Sequence, residues 1–105
     1  MRNRLNTLKA ELSTCNELAR IDEIRTEMRY IFAKNCGKIA EYRSQEITKR
    51  VVKDYPLDKQ IGIILDGDAD EIASLKAFRA QKAIEVDEMI SKYEEELTNE
   101  DNLIQ

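Results

Sequence analysis

Histidine and tryptophan are absent from this 105-residue chain, proline occurs once, glycine three times and cysteine twice, and each scarcity removes a class of answer. Without histidine there is neither a Ser-His nor a Cys-His nucleophile, and no ordinary zinc site. The three glycines never cluster into a phosphate-binding loop. No apolar run approaches the ~20 residues that span a bilayer, and the charged stretch Met1 to Lys9 lacks the apolar core of a signal peptide, so a cytoplasmic, unsecreted product is expected. Cys15 and Cys36, in a helical chain with no export signal, are expected to be reduced and semi-buried. Only six residues are aromatic. A thick, two-sided core is not expected, and neither are catalysis, a cofactor or a metal.

What is present is charge. Charged residues make up 36% of the chain, against an apolar fraction of 42%, the balance of long amphipathic helices with wide solvated faces. The sign is uneven. Residues 1–53 carry twelve Lys or Arg and seven Asp or Glu, whereas residues 54–105 carry five and fourteen, so the halves hold +5 and −9. Such halves attract, which favours folding of one onto the other or staggered association between chains.

The division falls in Asp54 to Glu71, which contains the only proline and two of the three glycines. Around it the expected organisation is one helical domain over 1–105: a basic helical half (1–53), a turn and short helix (54–70), an acidic long helix (71–97) and a frayed tail (98–105). The fold class is all-α. Long amphipathic helices with coiled-coil-like stripes form a helical hairpin or small bundle, broken at Tyr55-Pro56 and Asp66-Gly67.

In the basic half, Leu5, Leu8, Leu12 and Cys15, with Ala19, follow the spacing of a narrow helical seam. Beyond Leu18 the apolar positions Ile21, Ile24, Met28, Ile31 and Phe32 fall on nearly the opposite side of a continuous helix. Either the helix breaks near Arg20 to Asp22 or an unbroken rod offers different faces. With no Gly or Pro before Cys36, the rod is favoured. Gly37 suits the left-handed position that closes a helix. Lys38 to Tyr55 resumes a helix with Ala40, Tyr42, Ile47, Val51 and Tyr55 on one side and Arg43, Glu46, Lys49, Arg50 and Lys53 largely solvated.

Pro56 cannot continue that helix but suits the start of another, and Leu57 to Leu65 fits a short one stopping at Gly67. Because Ile61, Ile63, Ile64 and Leu65 are adjacent rather than spaced, burial on most sides is expected. A strand here would lack a partner. Asp68 to Glu71 is an N-cap followed by carboxylates in the first turn. In the last helix, Ile72, Val86 and Tyr93 share one heptad register with Arg79, and Ala83, Ile90 and Leu97 another with Lys76.

Two motifs are set aside. Asp66-x-Asp68-x-Asp70 opens like a calcium loop, but Glu71 occupies the turn glycine's place and Ala77 that of the bidentate glutamate. The same aspartates after Ile63-Ile64-Leu65 mimic an aspartyl phosphotransferase, whose parallel sheet this chain cannot build.

The run Tyr55-Pro56-x-x-Lys59-Gln60-x-x-Ile63-x-Leu65, with a glycine-containing turn and then Leu75-x-x-Phe78-Arg79, resembles a short helical element of tailed-bacteriophage tail and tail-fibre-associated proteins. It covers about Val51 to Lys82, with Gly62 where those proteins usually carry Asn. The resemblance implies a phage structural or assembly protein whose elements are packing units.

The expected function is therefore a non-catalytic structural or assembly protein acting through helix–helix contacts, as a homo-oligomer or in a larger assembly, with a bacteriophage virion or tail as its setting. Leu5, Leu8, Leu12, Ile24, Met28, Ile31, Ile72, Val86, Ile90 and Tyr93 carry the packing. Tyr55 and Pro56 anchor the turn, and Gln60 bonds freed backbone groups there. The alternative is a small regulator that occupies a basic cleft of a host or phage protein with an acidic face of Glu85, Asp87, Glu88, Glu94 and Glu95. A minor alternative is nucleic-acid binding by Arg25, Arg29, Lys49, Arg50 and Lys53, opposed by interleaved Glu23, Glu27 and Glu46.

Overall fold

In the computed structural model, which describes the backbone of residues 2–104 and the side chains of residues 3–99, the fold is all-α. Five helices follow in order: α1 (Arg2–Thr14), α2 (Leu18–Asn35), α3 (Ile39–Asp54), α4 (Leu57–Asp66) and α5 (Ala69–Ile104). The chain divides into two compact units, Met1–Tyr42 with Met89–Gln105, and Arg43–Glu88. Neither boundary falls at residue 53, where the charge changes sign. Each unit instead draws on both the basic and the acidic half.

The unbroken N-terminal rod is not formed. The chain leaves helix at Cys15 to Glu17, upstream of Arg20, and Glu17 takes an extended conformation (φ −83°, ψ 120°) before α2. The cause is local and polar. The Ser13 and Thr14 hydroxyls donate back to the carbonyls of Ala10 and Glu11 at 2.7 and 3.3 Å, and Asn16 is itself a poor helix former. Breaking there also lets both apolar stripes face one interior, which a continuous helix forbids.

α1 and α2 thus form an antiparallel hairpin whose register is marked by two ion pairs. Near the connection, Arg20 donates to both carboxylate oxygens of Glu11, and its other amino group reaches Glu23 at 3.1 Å. Toward the open end, Arg4 donates through Nε and Nη2 to Glu27 at 2.6 and 2.9 Å. Hydrogen bonding to Glu27 raises the Arg4 pKa above its ordinary value, and hydrogen bonding to Arg20 holds the Glu11 carboxyl below its own. Arg4 further reaches Glu96 of α5 at 3.3 Å, and Lys34 pairs with Glu94.

The core of this unit joins Leu8, Ile24, Tyr30, Ile31, Tyr42, Tyr93 and Leu97, with Leu5, Leu12, Met28, Met89 and Ile90 packed against it. Tyr30 stands between Tyr42 and Tyr93 at ring-centroid distances of 5.5 and 5.4 Å, tilted to each. Tyr42 donates its hydroxyl to the Thr26 carbonyl at 2.9 Å, whereas the fully buried Tyr30 hydroxyl has no protein partner. Gly37 closes α2 at φ +69°. Its N–H donates to Lys34 O, and that of Lys38 to Ala33 O at 2.8 Å, the paired bonds of a Schellman stop.

The second unit centres on Val51, Ile63 and Leu75, with Ile47, Tyr55, Ile72 and Phe78 against them. Glu46, expected on the solvated face of α3, is 4% exposed and accepts a 2.7 Å bond from Arg50. Arg43 donates through Nε and Nη2 to Asp87 at 2.6 and 3.1 Å, holding that carboxyl below the usual range. α5 continues past Leu97 to Ile104 where fraying from Thr98 is expected, because no glycine or proline follows Gly67 to stop it; Gln105 lies outside the described residues. Its Ile72, Leu75 and Phe78 serve the second core and its Ile90, Tyr93 and Leu97 the first.

Cys15 is half-buried and Cys36 exposed at the end of α2; both are free thiols. Cys36 is therefore not the semi-buried core residue expected, since the C-cap position points it outward.

Two outcomes follow from this packing. A buried hydroxyl without a partner costs about 1–3 kcal/mol, so Tyr30→Phe should leave stability unchanged or raise it by up to about 1 kcal/mol, read from urea midpoints. For the Arg43–Asp87 pair, the folded chain holds the carboxyl below its unfolded value. The pair's contribution is present above the ordinary aspartate range and lost as pH falls through the depressed value. The stability gap between parent and Asp87→Asn should be widest at neutral pH and close on acidification.

Candidate interaction surface

The residues expected to carry intermolecular packing are mostly interior. Leu8, Ile24, Ile31 and Val86 are fully buried and Tyr93 is 9% exposed, while Leu5, Leu12, Met28, Ile72 and Ile90 lie half-buried against the two cores. All of them except Val86 belong to the two cores, where they pack helices of this chain against one another. Among the described residues, exposed large apolar side chains occur one or two to a helix on α2 (Leu18, Phe32), α3 (Val52) and α5 (Ile84), whereas α4 carries four.

α4 is built by its two ends. Pro56 takes the N-cap position (φ −53°, ψ 155°), one residue before the helix, and its carbonyl accepts the first helical bond from Gln60 N at 3.0 Å. Gln60 behaves as expected: it is 9% exposed and its Nε2 donates to the Tyr55 carbonyl at 2.6 Å, satisfying a group that proline freed. Tyr55 packs on Phe78 with centroids 4.9 Å apart, and Lys59 lies over the Tyr55 ring at 4.8 Å. At the other end Gly67 passes so close to the preceding turn that a Cβ would stand 2.5 Å from the Ile63 carbonyl oxygen, which only glycine permits. Asp68 then caps α5, its Oδ1 accepting from Glu71 N at 2.8 Å.

These ends fix which side of α4 turns inward. Ile63 and Gln60 face the core, and burial on most sides is not found. Leu57 is 65% exposed, Ile61 48%, Ile64 65% and Leu65 74%. At 3.6 residues per turn, Leu57, Ile61 and Leu65 form one i, i+4, i+8 ridge with Ile64 beside it. Four large aliphatic residues share one exposed face of a ten-residue helix. The signal was available as two overlapping periodicities in one apolar run, of which a single core can use only one.

Other concavities are weaker. A cleft of about 320 Å³ between the start of α4 and α5 is lined by Tyr55, Lys59, Ile63, Asp68, Asp70, Glu71 and Ser74. It gathers the Asp-x-Asp run, but Asp68 is committed to capping. A shallow groove of about 420 Å³ follows one side of α3 along Ser44, Gln45, Thr48, Lys49 and Val52. Among the described residues no group of three His, Cys, Asp or Glu is placed to hold a metal ion, and no helix is long and apolar enough to cross a membrane.

The two faces of α4 should separate in mutation. Ile63→Ala should cost about 2–4 kcal/mol through the cavity left in the second core. Leu65→Ser and Ile64→Ser should each stay within about 0.5 kcal/mol of the parent by thermal melts.

Compared with known proteins, the chain matches no family model, no curated protein and no solved structure.

Proposed function

We propose that the protein is a non-catalytic interaction protein that receives a partner helix on the outer face of α4. One observation carries the reading: Leu57, Ile61, Ile64 and Leu65 lie together on one helix side and remain in water while Gln60 and Ile63 turn inward. Keeping four aliphatic side chains solvated forgoes about 1.5–3 kcal/mol for each that burial would recover. A face spaced i, i+4, i+7, i+8 is the pattern by which helices dock on helices. A structural or assembly role in a bacteriophage particle, implied by the resemblance over Val51 to Lys82, is the narrower form of this proposal. α4 lies in the first half of that stretch. Location in the cytoplasm or in a virion belongs to the same narrower form.

The regulator reading has less support. Of its acidic residues, Asp87 is paired with Arg43, Glu94 with Lys34 and Glu85 with Lys82, so three of the five carboxylates are already neutralised within the chain. The nucleic-acid reading is weakened likewise, with Arg50 spent on the buried Glu46 and Arg29 bonded to Thr26.

The test uses a synthetic amphipathic helical peptide with a leucine face and a neutral glutamine margin. The parent should bind it, and a variant with Leu57, Ile61, Ile64 and Leu65 all changed to Ser should keep its helical circular dichroism and lose binding at least about tenfold, a loss of 1.4 kcal/mol or more. Equal binding by parent and variant, or none by the parent, overturns the proposal.

A further inference from the structure

We infer that the partner of the α4 face is a basic amphipathic helix, its apolar stripe bordered by Lys or Arg, rather than a second copy of this chain. The inference rests on the docking role just proposed and adds the chemistry of the occupant. Beside the ridge Leu57, Ile61, Leu65 runs the parallel i, i+4, i+8 row Asp58, Gly62, Asp66, all three exposed. Neither aspartate has a hydrogen-bond or ion-pair partner among the described residues. A Cβ built on Gly62 would meet nothing within 4 Å, so the row is a notch in open solvent with a carboxylate at each end. The only cation of α4, Lys59, lies over the Tyr55 ring.

The two aspartates differ in what local structure explains. Asp58 is in the first turn, where the helix dipole favours negative charge. Asp66 is the last residue of α4, where the dipole disfavours it, and no basic residue stands in that turn to compensate. An exposed, uncompensated carboxylate at the wrong end of a helix, bordering an exposed aliphatic ridge, is accounted for by a cation that arrives with the partner.

The same geometry argues against self-pairing. Two copies of the face crossing antiparallel about Gly62 bring Asp58 of each toward Asp66 of the other, two like-charge contacts, and each chain already carries a net charge of −4. An anionic lipid surface is repelled by the same margin. A Lys or Arg placed one helical turn from the partner's apolar stripe instead meets a carboxylate at each end of the notch.

The experiment compares three peptides with an identical leucine face and margins of Lys, Gln or Glu, titrated against the full chain at low and high salt. The Lys peptide should bind about tenfold more tightly than the Glu peptide at low salt, as two rim ion pairs against two repulsions imply, and the gap should shrink in high salt. Asp58→Lys combined with Asp66→Lys, both changes on exposed positions, should invert the order. If the Gln peptide binds while Lys and Glu bind alike, docking on α4 stands and the basic partner is overturned. If no peptide binds, the docking role itself fails. A dimer by light scattering that the four-serine variant loses, or binding to phosphatidylserine vesicles, also overturns the inference by assigning the face to another occupant.

Discussion

Arg4 spans three helices of the first unit with one guanidinium. It holds Glu27 of α2 through two bonds while reaching Glu96 of α5. Glu27 is 5% exposed, so the carboxylate is taken out of water and tolerated only because the planar fork of arginine meets both its oxygens. Packing on either side follows that constraint. With Arg4 set against Glu27 and Glu11 against Arg20, the α1–α2 register is fixed, Leu8 comes level with Ile24, and the tyrosines of α2, α3 and α5 close the interior. The second unit repeats the device with Glu46, as deeply buried as Glu27, under Arg50, and adds the exposed pair of Arg43 on Asp87.

The charge imbalance is thus expressed inside the fold. The basic half and the acidic half meet at Arg4–Glu96, Lys34–Glu94 and Arg43–Asp87, each pair lying within one unit. Asp58 and Asp66, on the margin of α4, take no part in these pairs.

Much of this was legible beforehand, and the failures share a cause. The stop at Gly37, the turn at Pro56, the bond from Gln60 to the freed backbone and the cap at Asp68 were readable because each depends on one residue's own chemistry. The break after Thr14 was missed because it needs neither glycine nor proline; a run of small polar side chains suffices once tertiary packing rewards the reversal. A helical wheel puts Glu46 in solvent because it has no knowledge that Arg50 covers it. Periodicity marks Leu5, Leu8, Leu12, Ile24 and Ile31 as apolar faces without saying what covers them; here they lie in or against the core of the first unit. The α4 face was hidden by the reverse error. An apolar run of nearly every residue looks like interior, although the short helix has only one neighbouring core to enter.

The distribution of aromatic rings sets what light can report about this molecule. With no tryptophan, ultraviolet emission must come from the tyrosines. Tyr30, Tyr42 and Tyr93 sit in the first unit and Tyr55 alone in the second. An emission-monitored melt therefore weights the hairpin unit three to one, and loosening of the helices around Val51 and Ile63 is reported by Tyr55 alone.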